Sequence, residues 1–211
     1  MRSGRDPGDV TLVAVSKTVD AVRLQSAVAA GLTLFGENRV QEAESKAPQV
    51  PGARWHLIGP LQSNKARRAV ELFDVIESVD SVDLARRLDR LAGDAGRRAR
   101  GLGIFLQVNV DLDEAKAGFL PESLDAALPA LAELSNLRLL GLMTVGRLVG
   151  NVEEARETFV RLRKVSGRLR ERAPTLGPGL SMGMSDDYAV AVEEGATVIR
   201  VGRALFGTRL G

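Results

Sequence analysis

The sequence predicts an α/β fold of parallel strands, closed as a single (β/α)8 barrel of TIM type over residues 1–211. Short β-branched runs alternate with stretches of helical period eight times between Thr11 and Val201, and no Pro/Gly/Ser linker divides them. Alternation of that kind gives parallel strands joined by right-handed crossovers. The length of 211 residues lies near the lower end for such a barrel, which requires short loops. The alternative is an open, doubly wound sheet. It would call for a strand followed by G-x-G-x-x-G or a G-x-x-x-x-G-K-[ST] loop, and the chain has neither.

Thr11 to Val15 reads as the first strand, and Ala21 to Ala30 as a helix stopped by Gly31. Leu32 to Phe35 is a second strand closed by Gly36, followed by a short helix over Arg39 to Ala47 that Pro48 breaks. Arg54 to Ile58 is a third strand. Ser63 to Phe73 is helical, with apolar spacing at Ala66, Ala69, Val70 and Phe73. Val75 to Val79 is the fourth strand, and Ser81 caps a helix whose apolar stripe is Leu84, Leu88, Leu91 and Ala95.

Gly103 to Val110 is apolar enough to be buried on both faces, as strands of a parallel sheet are. Pro121, a residue suited to a first turn, opens a helix to Leu134, and Leu137 to Met143 is the next strand. Asn151 with Glu154 three residues on has the form of a capping box. The helix after it turns Ala155, Phe159, Leu162, Val165 and Leu169 inward. Pro174 to Gly179 is a loop, Leu180 to Met182 a short strand end, and Ser185 a cap for a helix to Glu194 that Gly195 stops. Ala196 to Val201 is the last strand, with Gly202 and a helical turn beyond it.

Composition narrows the chemistry. The chain has no Cys, so a disulfide scaffold, thiolate metal sites and cysteine nucleophiles are excluded. One His leaves no His-rich metal site, and no metal is expected. The net charge of +2 comes from 29 basic and 27 acidic residues. That near-balance gives no face-wide positive excess, and nucleic acid is not expected as a partner. No apolar run approaches the roughly 20 residues of a membrane span, and MRSGRDPGDV has no signal-peptide core, so a cytoplasmic protein is expected.

In a (β/α)8 barrel the active site lies where strands end, at the C-terminal face. Lys17 follows the first strand in Ala14-Val15-Ser16-Lys17. It is either a solvated lysine opening a loop or an amine made nucleophilic by partial burial. Ser181-Met182-Gly183-Met184-Ser185 and the Gly202 turn end strands seven and eight, where such barrels hold phosphate; helix capping and turn-making are the plainer roles. Arg200 sits in an apolar strand and faces opposite to Ile199 and Val201, where a charge must be paired. Asn38 either caps the next helix or faces the mouth, and His56 is a hydrogen-bonded structural residue. The Arg97-Arg98-Ala99-Arg100 cluster ends a helix, where positive charge suits the dipole, and reads as a solvated face.

Five segments together carry a resemblance: Ala14-Val15-Ser16-Lys17-Thr18; Phe35-Gly36-Glu37-Asn38; Trp55-His56-Leu57-Ile58-Gly59-Pro60-Leu61-Gln62-Ser63-Asn64-Lys65; Leu180-Ser181-Met182-Gly183-Met184-Ser185-Asp186-Asp187; and Arg200-Val201-Gly202 through Phe206-Gly207. In order and spacing, from about Gly4 to Gly207, the chain resembles the pyridoxal-phosphate homeostasis proteins of YggS/PROSC type. That family is similar in fold to the N-terminal barrel of alanine racemase, without its C-terminal β domain. The resemblance implies that Lys17 forms an internal aldimine with pyridoxal 5′-phosphate. It implies that Ser181 and the backbone of Gly202 and Arg203 hold the phosphate, that Arg200 faces the pyridine nitrogen, and that Asn38 lies beside the ring. Three features depart from the family pattern. Almost nothing remains of a helix that usually precedes Gly4, Arg39 stands where a Tyr is common, and Arg203 stands where a Thr is frequent.

The function this implies is binding of pyridoxal phosphate in intracellular cofactor homeostasis, by a monomer without turnover and with apo-enzymes as transient partners. The alternatives are a pyridoxal-phosphate-dependent racemase-like enzyme and a cofactor-free Schiff-base aldolase acting on a phosphorylated sugar. Two-base racemisation would need a second acid/base group, and the only Tyr, Tyr188, is placed away from the mouth by its position after Ser185-Asp186-Asp187.

Overall fold

The computed structural model describes residues 3–97, 101–147 and 150–207. Eight parallel strands close into a barrel in sequence order, β1 pairing with both β2 and β8. They are β1 (Thr11–Val15), β2 (Leu34–Glu37), β3 (Arg54–Leu57), β4 (Val75–Val79), β5 (Leu102–Gln107), β6 (Leu137–Met143), β7 (Gly179–Met184) and β8 (Val198–Val201). The helices around them are α1 (Ala21–Ala29), α2 (Val40–Lys46), α3 (Ala66–Leu72), α4 (Val82–Asp94), α5 (Pro121–Ala132), α6 (Ala155–Arg172), α7 (Tyr188–Glu193) and α8 (Arg203–Phe206). The closed barrel replaces the open-sheet alternative.

Alternation along each strand divides the interior in two. Outward residues such as Phe35, Leu57, Ile76 and Ile104 share the main core with Leu24, Leu88, Leu124 and Phe159 from the helices and with Phe73 just after α3. Inward residues Val13, Leu34, Val75, Phe105, Met143 and Val198 fill the barrel as a second apolar cluster, the layered plug of a small barrel. Two residues further along, toward the strand ends, the inward positions turn polar: Glu77 follows Val75 on β4 and Arg200 follows Val198 on β8.

Some predicted boundaries move, for local physical reasons. Asn151 caps a 3-10 turn (Val152–Glu154) and accepts from the Glu153 N–H at 3.0 Å, so the expected capping box is replaced by a tighter turn. Ser185 does not cap the following helix. That helix starts at Tyr188 after Asp187, whose carboxylate accepts from Met184 N–H at 2.6 Å and closes the turn instead. β7 also runs from Gly179 to Met184, longer than the expected strand end. Gly183 has φ +92, and a Cβ there would stand 2.5 Å from the Ala191 Cβ, so only glycine lets β7 end against α7. Of the arginine cluster, Arg97 donates to Phe73 C=O at 2.9 Å, and Arg98–Arg100 lie outside the described residues. No helix among the described residues is long and apolar enough to cross a membrane.

Candidate functional site

Lys17 opens the turn directly after β1 and is partly buried. The turn is fixed from beneath. Ser16 is fully buried, and its hydroxyl donates to Glu37 Oε1 at 2.7 Å. Lys46 Nζ on α2 binds the same carboxylate oxygen and the Ser16 carbonyl, both at 2.8 Å. Thr18, next in the turn, has φ +67, a left-handed backbone that costs a β-branched residue about 1–3 kcal/mol and is held only by firm surroundings. The Thr18 N–H donates to Glu42 at 3.4 Å. Burial raises Glu37 above the ordinary carboxylate value, and the hydrogen bonds from Lys46 and Ser16 offset this only in part. Its second oxygen is buried without a partner among the described residues. Sequence reading passed over this clamp, because Glu37 and Lys46 meet only once α2 folds back over the end of β2.

Arg200 is 4% exposed and lies inside the barrel. Its Nη1 donates to Ser181 Oγ at 2.5 Å and its Nη2 to the Thr144 carbonyl at 2.7 Å. Ser181 Oγ in turn donates to Glu77 Oε2 at 2.6 Å, and that oxygen is 3.8 Å from Arg200 Nη1. The other oxygen, Glu77 Oε1, lies 2.6 Å from His56 Nδ1. Four strands, β3, β4, β7 and β8, thus meet in one buried polar chain. Burial pushes the Glu77 carboxyl up, but the hydrogen bond and charge of His56, the Arg200 charge and the Ser181 hydroxyl together hold it below the usual carboxylate value. Burial likewise pulls the Arg200 guanidinium down against the nearby Glu77 and Asp187 carboxylates, yet a guanidinium remains a cation at neutral pH.

The expected site residues therefore part into two levels. Lys17, Asn38 and Gly202 stand on the loops that follow β1, β2 and β8, and Arg203 opens α8, all at one end of the barrel. Asn38 lines a cavity of about 790 Å³ with Arg39, Glu42, Pro60, Gln62 and Lys65. The Arg203 side chain turns outward to pair with Asp186. Ser181 stands within β7, before the strand ends. It is completely buried and its hydroxyl is committed between Glu77 and Arg200. The hydroxyl beside the Gly202 turn belongs to Ser185, whose Oγ accepts from the Gly202 N–H at 3.2 Å. Glu77 was not singled out from the sequence either. The only cue was a lone carboxylate in the otherwise uncharged run Val75-Ile76-Glu77-Ser78-Val79.

Tyr188 lies on the outer side of the barrel, in a groove shared with Val10, Val192 and Ile199. Lys116 Nζ donates to the Val145 carbonyl at 3.2 Å. Among the described residues no group of three or more His, Asp or Glu is placed to hold a metal ion.

Compared with known proteins, residues 2–210 match the family model described as alanine racemase, N-terminal domain. The pyridoxal phosphate homeostasis protein of Pseudomonas aeruginosa is 43% identical over 212 residues, covering 98% of this chain and 88% of that one. The protein of the same name from Synechocystis sp. is 41% identical over 207 residues, covering 97% and 94%. Among solved structures, PipY of Synechococcus elongatus with PLP bound gives a TM-score of 0.89 at 48% identity, covering 98% of this chain and 96% of that one. An alanine racemase of Clostridium difficile shares the fold, with a TM-score of 0.73 at 14% identity; this chain spans 52% of it.

The Glu77 network has a measurable pH signature. Its folded value lies below the ordinary 4.5, so the stability it contributes is complete above pH 4.5 and is lost as pH falls through the folded value. Glu77→Gln leaves buried Arg200 without the larger of its two counter-charges, which should cost about 3–5 kcal/mol at pH 7. In urea unfolding series from pH 7 to pH 3, the gap between the variant and the original chain should narrow below pH 4.5. A gap independent of pH would show that Glu77 is not held ionised by this network.

Proposed function

We propose a cofactor-binding role for this chain, which belongs to the pyridoxal phosphate homeostasis proteins and is built on the alanine racemase N-terminal fold. On this reading it binds pyridoxal 5′-phosphate at the end of the barrel formed by the loops after β1, β2, β7 and β8, and serves intracellular handling of that cofactor. The observation that carries it is a buried guanidinium, Arg200, fixed by Ser181 and Thr144 in the same barrel whose loops bring Lys17 on one side and Ser185 with the Gly202 N–H on the other. That donor set fits the three polar groups of the cofactor. An amine suits its aldehyde, a hydroxyl and main-chain N–H groups suit its phosphate, and a cation suits its ring nitrogen.

Lys17 would hold the aldehyde carbon covalently, Asn38 would flank the ring, and Ser185 with the backbone of Gly202 and Arg203 would hold the phosphate. Ser181 would act one step away, by fixing Arg200. Bound pyridoxal phosphate supplies a conjugated ring that withdraws electrons from the carbon joined to it. Arg200, itself a cation, would keep the ring nitrogen unprotonated and so weaken that withdrawal. His56 Nδ1 is engaged by Glu77 inside the barrel and Tyr188 stands outside, which supports binding without turnover. The reading also takes the chain as a cytoplasmic monomer that passes cofactor transiently to apo-enzymes.

Pyridoxal should bind at least a hundredfold more weakly than pyridoxal phosphate, since two or three charge-assisted bonds of about 1.5–3 kcal/mol each are lost. Ser185→Ala should remove much of that difference, while Ser181→Ala should keep it. Visible-absorbance titration of the two forms decides; equal affinity for both would contradict a phosphate site at Ser185 and Gly202. For turnover, the measurement is α-hydrogen exchange of alanine and serine in deuterated buffer at near-stoichiometric protein. Negligible multiple turnover is expected, and steady inversion lost in Lys17→Ala would favour the racemase-like enzyme.

A further inference from the structure

The opposite end of the barrel, where β3 to β6 begin, holds a cavity of about 610 Å³ that the reading above does not use. Its walls include Arg54, Arg97 and Arg138, with Asp74 as the acidic residue and His56 facing it from within the barrel. None of the three arginines has a carboxylate ion-pair partner among the described residues. Arg97 is bound to the carbonyls of Phe73 and Glu71, which orient the guanidinium without neutralising it. Asp74 accepts the Trp55 N–H at 3.0 Å. Gly101, with φ +62, leaves the space through which the Arg138 stem passes, since a Cβ there would stand 2.9 Å from the Arg138 Cγ.

The second, independent observation is His56. Its side chain is 10% exposed, and Nδ1 is taken by Glu77 at 2.6 Å. The remaining ring nitrogen, Nε2, has no partner among the described residues, and the residue lines the cavity. A nine-tenths buried imidazole with one nitrogen satisfied from behind therefore looks onto a space framed by three guanidiniums. Planar forks of this kind match phosphate oxygens in pairs, and the imidazole, with Nδ1–H given to the Glu77 carboxylate, adds an Nε2–H donor in its protonated form. We propose that this cavity is a second ligand site, distinct from the cofactor end, for a small anion of the phosphate class. The site stands whether or not the chain binds pyridoxal phosphate at the other end.

Because His56 is the sole histidine, its ring resonances are assigned without ambiguity, and variants at each end of the barrel separate this cavity from the cofactor end to which Glu77 and Arg200 connect it. The probe is inorganic pyrophosphate, titrated into cofactor-free protein at constant ionic strength and followed by nuclear magnetic resonance of the His56 ring, with chloride as the control anion. A saturating shift is expected with pyrophosphate and none with chloride. Arg54→Gln/Arg138→Gln, two exposed positions whose change leaves the core intact, should weaken the affinity at least tenfold. Lys17→Ala and Ser185→Ala should bind as the original chain does. A shift that fails to saturate, that chloride reproduces, or that persists with unchanged affinity in the double variant would overturn the proposal; in the last case, loss in Ser185→Ala would place the anion at the cofactor end.

Discussion

One buried charge organises the upper half of this barrel. Arg200 projects inward from β8 where every neighbouring strand has just ended its apolar layer, and a cation there is tolerable only with a counter-charge and with its donors satisfied. Glu77, on β4 in the opposite wall of the barrel, supplies the counter-charge. Ser181 joins the two by accepting from one and donating to the other. His56 completes the carboxylate and Thr144 offers its carbonyl, so residues from β3, β4, β7 and β8 and the end of β6 share one hydrogen-bonded unit. Since those strands are far apart in sequence, the network fixes their relative register as well as the guanidinium.

The loops at the strand ends inherit their positions from that base. The turn carrying Lys17 is held by a separate clamp of Glu37, Lys46 and Ser16 that lies outside the barrel wall. An ionic unit thus stands on each side of β1: one within the barrel that presents a fixed cation, one without that presents an amine. Glu37, its carboxyl raised by burial, shows what such positioning costs, since the fold favours its neutral form. Its contribution to stability therefore weakens as pH rises from 4.5 through its folded value, opposite in sign to that of Glu77.

The strands were legible because their apolar runs are short, β-branched and evenly spaced; β1, β4 and β6 begin and end where sequence pattern alone puts them. The inward facing of Arg200, opposite to Ile199, follows from alternation in the same way. Which of two hydroxyls stands beside the Gly202 turn was hidden for an equally physical reason. Ser181 and Ser185 flank the same short segment, and only the bulge-like register shift between Ser181 and Met184 decides which one points into the barrel and which one meets Gly202. Ser185 was expected to cap the next helix, and instead Asp187 closes the turn before it. Glu77 and Lys46 act only through partners brought together by barrel closure, and the sequence marks Glu77 only by its isolation in an uncharged run.

The central claim is that Lys17 is the covalent anchor of a site whose ring-nitrogen partner is Arg200. Borohydride reduction of protein loaded with pyridoxal phosphate, followed by peptide mass mapping, tests it most directly. The account predicts a single reduced adduct on the peptide containing Lys17. An adduct found mainly on Lys65 or Lys116 would contradict it.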